Sequence, residues 1–442
     1  MKDLDTIVAI STPQGKGGIH IIRVSGNNAI AITQNLIKMD LSKFEDRKLY
    51  LVNIKTSEFV DRGLVAVFKN KKSYTGEESV EIQCHGGFEI AKGILSELIN
   101  YGARLAENGE FTKRAFLNGK ISLSGAEGMI DMINSSSSAE IKAGYRLLKG
   151  ELAKETIKIQ EDLQDVLAKI NVALDFPEED IDYTTKKEVE KTLNEIKEKI
   201  NLLLKSENAG KMISDGIDVA IIGKPNVGKS SILNRLLGYD RAIVTEKAGT
   251  TRDTVIGSLS VKGIKINLID TAGIRESDEE IERIGVEKSR DAIKEADVIL
   301  RVVDASGEAD IEDEKIKELL NDKVVINILN KIDLGKKIKE TGLELSAKND
   351  DNVKERILEL IYEKVVKNNI PENSIILTNE RHINALKEAK KSIEDALNNI
   401  DKELECIEVD IKNAWEKMGE ISGTTANEEI INTIFSKFCL GK

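Results

Sequence analysis

A glycine-rich run in the middle of the chain has residue types that can hold phosphate groups. Residues 223–230 read GKPNVGKS, which fits the pattern G-x-x-x-x-G-K-S, and they follow the apolar residues 219–222. Glycines let backbone amides turn toward phosphate oxygens, and the helix expected after the loop adds its dipole. We expect Lys229 to bridge the β- and γ-phosphates and Ser230 to ligate Mg²⁺. The predicted nucleotide contacts in this run are Asn226, Val227, Gly228, Lys229, Ser230 and Ser231.

Two further segments have the order expected of a nucleotide switch. Residues 270–273 read DTAG after a second apolar run, so the aspartate can reach the magnesium shell through water and the glycine amide can contact the γ-phosphate. Residues 249–253 read GTTRD, and we choose Thr251 as a second Mg²⁺ ligand and a catalytic contact, against the alternative of an ordinary threonine turn. The predicted contacts are Gly249, Thr250, Thr251, Asp270, Thr271, Ala272 and Gly273.

Another motif selects the base. Asn330, Lys331 and Asp333 belong to NKID, which closes the apolar run 324–329. Asp333 can accept hydrogen bonds from two N–H groups on the guanine edge, which adenine does not offer. Residues Ser346, Ala347 and Lys348 would add a backbone donor for the guanine oxygen. The ordered motifs therefore predict GTP rather than ATP.

The usual catalyst of GTP hydrolysis is missing from the sequence. Many GTPases place a glutamine directly after D-x-x-G, but this chain has Ile274, which cannot orient water. Asn226, together with backbone carbonyls of the loop 245–250, could hold a monovalent cation in place of an arginine finger. Glu282 could orient the attacking water, although a solvated helix charge is the plainer interpretation.

The surrounding elements predict a multidomain fold of α/β plus α class. Residues 211–370 alternate helical segments with apolar runs at 217–222, 264–269, 297–303 and 323–329, which is typical of a doubly wound, Ras-like P-loop domain. Residues 1–118 predict a mixed α/β domain, with strands at 19–24 and 80–84 and a helix over 89–100.

The two remaining segments, 119–210 and 371–442, predict helices. Apolar stripes occur at residues 152, 159, 163, 166 and 170, and at 189, 193, 196, 200 and 203. Heptad repeats occur at 386, 393, 400 and 407, and at 397, 404, 411 and 418. We predict one discontinuous helical domain with the P-loop domain inserted, and a separate C-terminal coiled coil as the alternative.

Charge and cysteine content limit the function classes. The 442 residues contain 65 Lys and Arg and 77 Asp and Glu, a net charge of −12, which argues against gripping nucleic acid over the whole surface but not against a local basic patch. Residues 1–118 hold 16 basic and 14 acidic residues, a net of +2.

Three cysteines without C-x-x-C exclude a disulfide scaffold and a zinc ribbon. Without a signal or membrane-spanning segment, we expect a cytoplasmic protein with no membrane partner.

The whole chain resembles the MnmE (TrmE) tRNA-modification GTPases. The motifs that carry the resemblance are GKGG (15–18), FTKRAFLN (111–118), GKPNVGKS (223–230), GTTRD (249–253), DTAGIRE (270–276), NKID (330–333) and the terminal FCLGK (438–442). The resemblance implies a homodimer that works with the FAD-dependent partner GidA (MnmG), so that FAD enters only through the partner. The two proteins would add an aminomethyl or carboxymethylaminomethyl group to C5 of the wobble uridine of certain tRNAs.

The resemblance also assigns ligand sites. It implies that residues 1–118 bind a tetrahydrofolate derivative (the 5-formyl or 5,10-methylene form) and mediate dimerisation, with Arg23, Glu81, Lys120 and Lys442 at folate-contacting positions. It implies K⁺-stimulated hydrolysis when two G domains meet. The K⁺ ligands would be Asn226, Thr245, Lys247 (through its backbone) and Thr250, with Thr245 also touching the nucleotide. Glu282 would position water indirectly, and Arg252, Asp253 and Arg275 would belong to the switches.

The cysteines divide into one functional and two structural candidates. Cys439 superficially fits a C-a-a-X prenylation site, but the following Gly441 fits poorly. The resemblance instead places Cys439 near the folate site with a role in modification. Cys84 alternates with apolar strand residues and Cys406 adjoins Ile407 on the helical stripe, so we predict that both are core residues. His20 and His85 lack metal-ligand spacing.

Two alternatives remain at this point. A ribosome-assembly GTPase of the Era or Der kind carries a similar phosphate loop, but would be expected to show an RNA-binding module or a second G domain. A folate-sensing GTP switch without a role in chemistry is the other. For the main hypothesis, we expect weak, salt-sensitive tRNA binding by this chain alone, tighter binding with the partner, and no DNA partner.

Overall fold

A computed structural model describes residues 5–69, 72–175, 181–238, 255–269, 292–320, 323–367, 374–402 and 404–441. The chain divides into two compact units. The first comprises residues 1–134, 144–198 and 384–442, and the second comprises residues 135–143 and 199–383. Within the described ranges, none of the helices combines the length and apolar character needed to span a lipid bilayer.

The first unit contains a six-stranded sheet. Its strands are β1 (Ile7–Ile10), β2 (Ile19–Ser25), β3 (Leu49–Lys55), β4 (Val60–Phe68), β5 (Ser79–His85) and β6 (Arg104–Leu105). Their order is β3-β4-β5-β2-β1-β6, with only the β1–β6 pair parallel. The strands predicted at 19–24 and 80–84 are confirmed.

One face of this sheet is covered and the other is largely open. In β5, Val80, Ile82 and Cys84 are buried, whereas Glu81 and Gln83 between them are partly exposed. This alternation gives the sheet one apolar face, on which helices α1 (Ala29–Ile37) and α2 (Phe88–Asn100) pack. The helix predicted over 89–100 is confirmed, and the face that carries Glu81 is free to form a site.

Further helices complete the described chain. They are α3 (Glu110–Leu117), α4 (Leu123–Asn134), α5 (Ser138–Leu148), α6 (Glu151–Asp175), α7 (Ile181–Leu204), α8 (Glu207–Ser214), α9 (Lys229–Leu237), α10 (Ile311–Leu319), α11 (Val353–Ile361), α12 (Glu380–Asn398), α13 (Leu404–Ser422) and α14 (Glu428–Ser436). The long helix α6 packs along α13, which confirms that the C-terminal helices use the 152–170 stripe as a partner. All five residues of that stripe are buried.

The C-terminal heptad repeat does not mark one continuous helix. Helix α12 ends at Asn398 and α13 begins at Leu404, so the repeat spans a break. Residues 398–401 read NNID, and Asn and Asp favour turns because their side chains compete for backbone hydrogen bonds. The repeat therefore runs over two helices, and a salt bridge at 3.0 Å joins Glu388 of α12 to Lys417 of α13.

The prediction that Cys406 is a core residue is wrong. Cys406 is exposed, while its neighbour Ile407 is completely buried. Consecutive helical residues differ by about 100° around the axis, so the buried stripe that includes Ile407 turns Cys406 outward. Cys84 is buried, as predicted, and burial raises the pKa of its thiol to about 11.

The second unit contains the doubly wound α/β fold predicted from the apolar runs. Its strands are β7 (Ile217–Ile222), β8 (Val255–Val261), β9 (Ile264–Ile269), β10 (Val298–Asp304), β11 (Val324–Asn330) and β12 (Leu343–Glu344). Their order is β12-β11-β10-β7-β9-β8, and only β8 runs antiparallel to its neighbour. Strand β7 lies in the middle of the sheet, so the loop at its C-terminal end opens at the site typical of nucleotide-binding sheets.

A short segment outside the predicted P-loop domain joins this second unit. The backbone N–H of Ala139 donates to the carbonyl of Gly263, and Ala143 lies in the unit's apolar core. No periodicity in the sequence indicates this contact. The domain boundaries proposed after residues 118, 210 and 370 stay predictions.

Candidate nucleotide site and N-terminal ligand site

The phosphate-binding loop lies between β7 and α9, as its motif predicts. Gly228 precedes α9 with φ +100°, and a Cβ there would lie 2.1 Å from the side-chain nitrogen of Asn330. Glycine is therefore required here for two reasons: the backbone has a positive φ, and the Asn330 side chain leaves no room for a Cβ. Val227 is buried in the core of the unit and anchors the loop, while Ser230 and Ser231 are exposed at the start of α9.

Lys229 lies over the loop that precedes it. Its ammonium donates to the carbonyls of Gly223 and Lys224, both at 2.7 Å. Burial lowers the pKa of Lys229, because desolvation disfavours the charged form. The ammonium is thus positioned by two backbone acceptors in the loop where phosphate oxygens are expected.

Asn226 adopts a backbone conformation that asparagine tolerates better than most residues. Its φ is +60°, in the left-handed region, and its side chain is exposed. Asparagine here gives the loop a turn and an exposed amide oxygen beside the expected phosphates. This fits the ligand role that the sequence suggested for Asn226, without assigning a cation to it.

The guanine-side motifs are tied to the phosphate loop by Asn330. Its side-chain amide donates to the carbonyl of Val227 at 2.8 Å and accepts from the N–H of Ala347 at 2.9 Å. One buried side chain therefore connects all three segments that were separate motifs in the sequence. Asp333 is exposed just after this point, free for the base edge.

Further hydrogen bonds support the guanine side, and the sequence predicted none of them. Arg235 of α9 donates to the carbonyls of Ala347 and Lys348, both at 2.9 Å. Lys331 donates to Asp304 at the end of β10, at 2.7 Å. The N–H of Ser346 donates to Asp350 at 2.9 Å. The contacts of Arg235 and Lys331 are long-range in sequence, so no local motif signals them.

Several predicted nucleotide residues fall outside the described ranges. They are Thr245, Lys247, Gly249, Thr250, Thr251, Arg252, Asp253, Asp270, Thr271, Ala272, Gly273, Ile274, Arg275 and Glu282, together with Lys442 of the predicted folate set. Their roles stay predictions.

A second candidate site lies on the open face of the first unit's sheet. Arg23 of β2 and Glu81 of β5 are register partners, and the guanidinium donates twice to one carboxylate oxygen, at 2.8 and 3.0 Å. The Arg23 guanidinium also lies 5.2 Å from the Tyr74 ring centre and 5.7 Å from that of Phe111. Both charged side chains keep about a fifth of their surface exposed. The structure therefore brings together two of the predicted folate residues and adds two aromatic ones that the sequence did not identify.

Lys120 stands at the edge of a cavity in the same unit. Its side-chain carbons lie against Gly76, 3.1 Å from where a Cβ would be, and its charge makes no salt bridge to any described residue. The cavity has a volume of 560 Å³. Its lining includes Phe116, Lys120, Ile157 and Thr424.

The C-terminal tail is bound to the sheet edge. Gly441 has φ +89°, and a Cβ there would lie 2.4 Å from the carbonyl oxygen of Ile10. The hydroxyl of Ser11 donates to the carbonyl of Gly441 at 3.1 Å, and Leu440 forms a β-bridge with Asn108. Cys439 is exposed directly before this anchored segment.

Comparisons with known proteins match the chain along its length. The family described as "MnmE helical domain" matches residues 123–439, and the family described as "GTP-binding protein TrmE N-terminus" matches residues 6–120. The tRNA modification GTPase MnmE of Lactobacillus gasseri is 42% identical, covering 100% of this chain and 99% of that protein. The corresponding protein of Clostridioides difficile (strain 630) is 41% identical, covering 99% of each. A crystal structure of an Aquifex aeolicus Era variant bound to GDP.AlF4- is 31% identical over 40% of this chain and 66% of that chain, with a TM-score of 0.27.

Proposed function

The chain belongs to the MnmE family of tRNA modification GTPases, and we propose that it modifies C5 of the wobble uridine. In this proposal it acts with the FAD-dependent partner GidA (MnmG) in the cytoplasm. The product carries an aminomethyl or carboxymethylaminomethyl group. The family matches extend over both flanks of the P-loop domain. They therefore argue against the alternative of an Era or Der type ribosome-assembly GTPase.

The position of the C-terminal tail carries the modification proposal. Gly441 and Leu440 are fixed against the sheet edge at Ile10 and Asn108. Ile10 is in β1, whose residue Ala9 pairs directly with Arg23 of β2. The anchored residues Leu440 and Gly441 directly follow Cys439 and contact β1, which is the neighbour of the strand that carries Arg23. This supports the proposal that the exposed Cys439 thiol acts beside the candidate ligand pair.

The residues on the open face fit a tetrahydrofolate derivative. The partly exposed Arg23 and Glu81 offer fixed donors and an acceptor for the polar edge of a fused heterocycle, and Tyr74 and Phe111 hold the guanidinium in place. Lys120 and Lys442 add positive charge for carboxylates. When bound, such a derivative supplies the one-carbon unit of the modification.

The phosphate loop fits Mg²⁺ and a monovalent cation. The hydroxyl of Ser230 at the start of α9 and the exposed amide oxygen of Asn226 are oxygen ligands of the kind both cations prefer. Thr251 would complete the Mg²⁺ site, and Thr245, Lys247 and Thr250 the K⁺ site. When bound, K⁺ supplies the positive charge at the phosphates that an arginine finger supplies elsewhere. We propose that Glu282 orients the attacking water.

An exposed apolar row supports the homodimer proposal. Leu49 and Leu51 of β3 are about half exposed, and Leu64 of β4 lies beside Leu51 on the same open face. A second copy can cover the row with its own, because identical patches meet across a two-fold axis. We further propose that GTP closes two G domains, that hydrolysis opens them, and that the helical domain relays the change.

Nucleoside analysis of tRNA tests the modification. We expect tRNA from cells that lack this protein to have lost the C5-modified wobble uridine, and the intact gene to restore it. A gene encoding Cys439→Ser should fail to restore it while GTP hydrolysis continues. Full restoration by Cys439→Ser would favour the folate-sensing switch, because the thiol would then have no part in the chemistry.

Comparing the rate of GTP hydrolysis in K⁺ with the rate in Na⁺ tests the hydrolysis mechanism. GTP turnover should be several-fold faster in K⁺ than in Na⁺, and Asn226→Ala should remove this difference while nucleotide binding persists. Equal rates in the two salts would refute the monovalent-cation role, without affecting the proposal for the uridine.

A further inference from the structure

One end of the open sheet face carries exposed basic side chains on an otherwise acidic chain. We name this group the basic end; it consists of Lys16, Lys55, Arg62 and His85. All four residues are exposed. The whole chain has a net charge of −12, so a local group of basic residues stands out from the rest of the surface.

Strand register brings these residues together. Leu64 pairs with Gln83 in the antiparallel β4–β5 ladder, which sets Arg62 opposite His85 two residues further along. Asn53 of β3 pairs with Arg62, so Lys55 follows on the same face. Directly opposed side chains on one face are about 5 Å apart at Cβ. Three of the four residues thus form one continuous surface.

The glycine-rich loop adds the fourth residue. The N–H of Gly17 donates to the carbonyl of Gly86 at 3.1 Å, and the N–H of Gly86 donates to the carbonyl of Gly18 at 3.2 Å. These bonds hold the loop that carries Lys16 against the residue that follows His85. This gives a physical reason for the GKGG motif, whose role the nucleotide site does not explain.

His85 is held in one orientation by a buried carboxylate. Asp61 accepts from the backbone N–H of His85 at 3.0 Å and pairs with ring atom Nδ1. Burial alone would raise the pKa of Asp61, but the hydrogen bonds from His85 outweigh it and lower the pKa. The His85 side chain nevertheless remains 67% exposed, so the outer ring edge is free for a ligand.

The three Lys and Arg side chains of the basic end have no partner among the described residues. Lys16, Lys55 and Arg62 make no salt bridge and donate no side-chain hydrogen bond there. The carboxylate of Asp61, next to Arg62 in the sequence, pairs with His85 and forms no salt bridge to these three. Neighbouring cations without counterions repel one another, and a bound polyanion relieves this repulsion.

We propose that the basic end binds the phosphate backbone of tRNA close to the nucleotide to be modified. Glu81, Gln83 and His85 alternate along β5 on one face, so the basic end is about 13 Å from the Arg23–Glu81 pair. A nucleotide whose phosphate rests at the basic end can extend toward the pair over the β2 side of this strip, where Ile21 pairs with Gln83. This path leads away from the Leu51–Leu64 row proposed to meet the second copy. The inference depends on the proposed function only for its ligand, tRNA.

A double substitution with a matched control tests the basic end. In the full-length protein, Lys55→Gln with Arg62→Gln should weaken binding of an unmodified tRNA transcript about tenfold at low salt. The slope of log Kd against log[KCl] should fall by about 1.5, since each phosphate contact contributes about 0.7–0.9. The control, Lys38→Gln with Lys92→Gln, removes two exposed lysines from the helices and helix ends on the covered side of the sheet. It should leave affinity and slope unchanged.

Separate readouts keep the result interpretable. Both variants should melt at the same temperature as the parent and hydrolyse GTP at the same rate. In a modification assay with the partner, the double variant should raise KM for tRNA and leave kcat unchanged. Unchanged tRNA affinity and salt slope would overturn the proposal. So would a loss of folate binding without a loss of tRNA binding, because the cations would then bind the carboxylates of folate.

Discussion

The nucleotide site and the N-terminal site are assembled in opposite ways. The phosphate loop is one run of consecutive residues between β7 and α9, and Lys229 is positioned by carbonyls only five and six residues away. The N-terminal site joins Arg23 to Glu81, with Phe111 and the tail residue Gly441 contributed from distant parts of the chain. The first site is local in sequence and the second depends on tertiary structure.

This difference decides what holds each site together. In the nucleotide site, the decisive long-range element is the single side chain of Asn330, which satisfies backbone groups of Val227 and Ala347. In the N-terminal site, ring packing around Arg23 and the close approach of Gly441 to Ile10 replace such a bridge. We therefore expect the nucleotide site to fail through one lost hydrogen-bonding group, and the N-terminal site through displaced packing.

The largest effect should come from Asn330→Ala. The substitution leaves a buried carbonyl and a buried N–H without partners, and each such group costs about 1–3 kcal/mol. Affinity for GTP and GDP should fall about 100-fold or more in a titration with a fluorescent nucleotide, while folate binding stays at the parent level.

Asn327→Ala on the same strand is the matched control. Its side chain makes one long hydrogen bond, 3.4 Å, to the carbonyl of Thr341. Nucleotide affinity should change less than about threefold, because exposed groups can bond to water instead. Equal losses in the two variants would show that Asn330 acts through general stability of β11 and would break the comparison.

A smaller effect should follow from Gly441→Ala. The new Cβ would meet the carbonyl of Ile10 at 2.4 Å and would force alanine to φ +89°, so the tail must move. If Cys439 acts where the tail holds it, the rate of uridine modification should fall about tenfold, since misplacing a reacting group is costly. GTP binding should be unaffected.

Gly102→Ala is the control that separates the steric clash at residue 441 from the strain of placing alanine at a positive φ. Gly102 also has a positive φ, +103°, but nothing lies within 4 Å of its would-be Cβ. This variant should lose some stability and retain modification. A retained rate in Gly441→Ala, with mass spectrometry confirming the substitution, would show that the anchored tail does not set the chemistry.

The sequence predicted the parts of the fold that follow from local pattern. The apolar runs gave the strands β7, β9, β10 and β11 to within a residue or two, and the alternation at 80–84 gave β5. The P-loop and NKID motifs were each assigned to the nucleotide, and both follow parallel strands whose ends lie at one edge of the sheet. The hydrogen bonds by which Asn330 joins Val227 to Ala347 were not predicted.

The remainder required tertiary information. Cys406 looked apolar by sequence neighbourhood, but the helix stripe that buries Ile407 exposes it. The heptad pattern could not reveal that a turn interrupts it between Asn398 and Leu404. Tyr74 and Arg235 meet their partners only after the chain has folded, and neither belongs to a motif.

The smallest effect should come from Tyr74→Phe, which sharpens the claim that ring packing organises the N-terminal site. The Tyr74 hydroxyl hydrogen-bonds to the buried Thr112 at 2.9 Å, and its ring lies beside Arg23. Burial raises the pKa of Tyr74, so the hydroxyl stays neutral near pH 7 and makes only neutral hydrogen bonds, to Thr112 and to the sulfur of Met129 at 3.1 Å. Removing it should lower the free energy of unfolding by about 1 kcal/mol in urea titrations. Folate affinity should change less than about threefold, because the ring remains.

Tyr74→Ala provides the contrast within the same position. Removing the ring releases the Arg23 guanidinium from one side, and folate affinity should then fall by more than in Tyr74→Phe, with GTP affinity unchanged in both variants. If Tyr74→Phe abolishes folate binding as fully as Tyr74→Ala, the hydroxyl itself contacts the ligand. The N-terminal site would then resemble the nucleotide site in depending on a single polar group, and the distinction between the two sites would not hold.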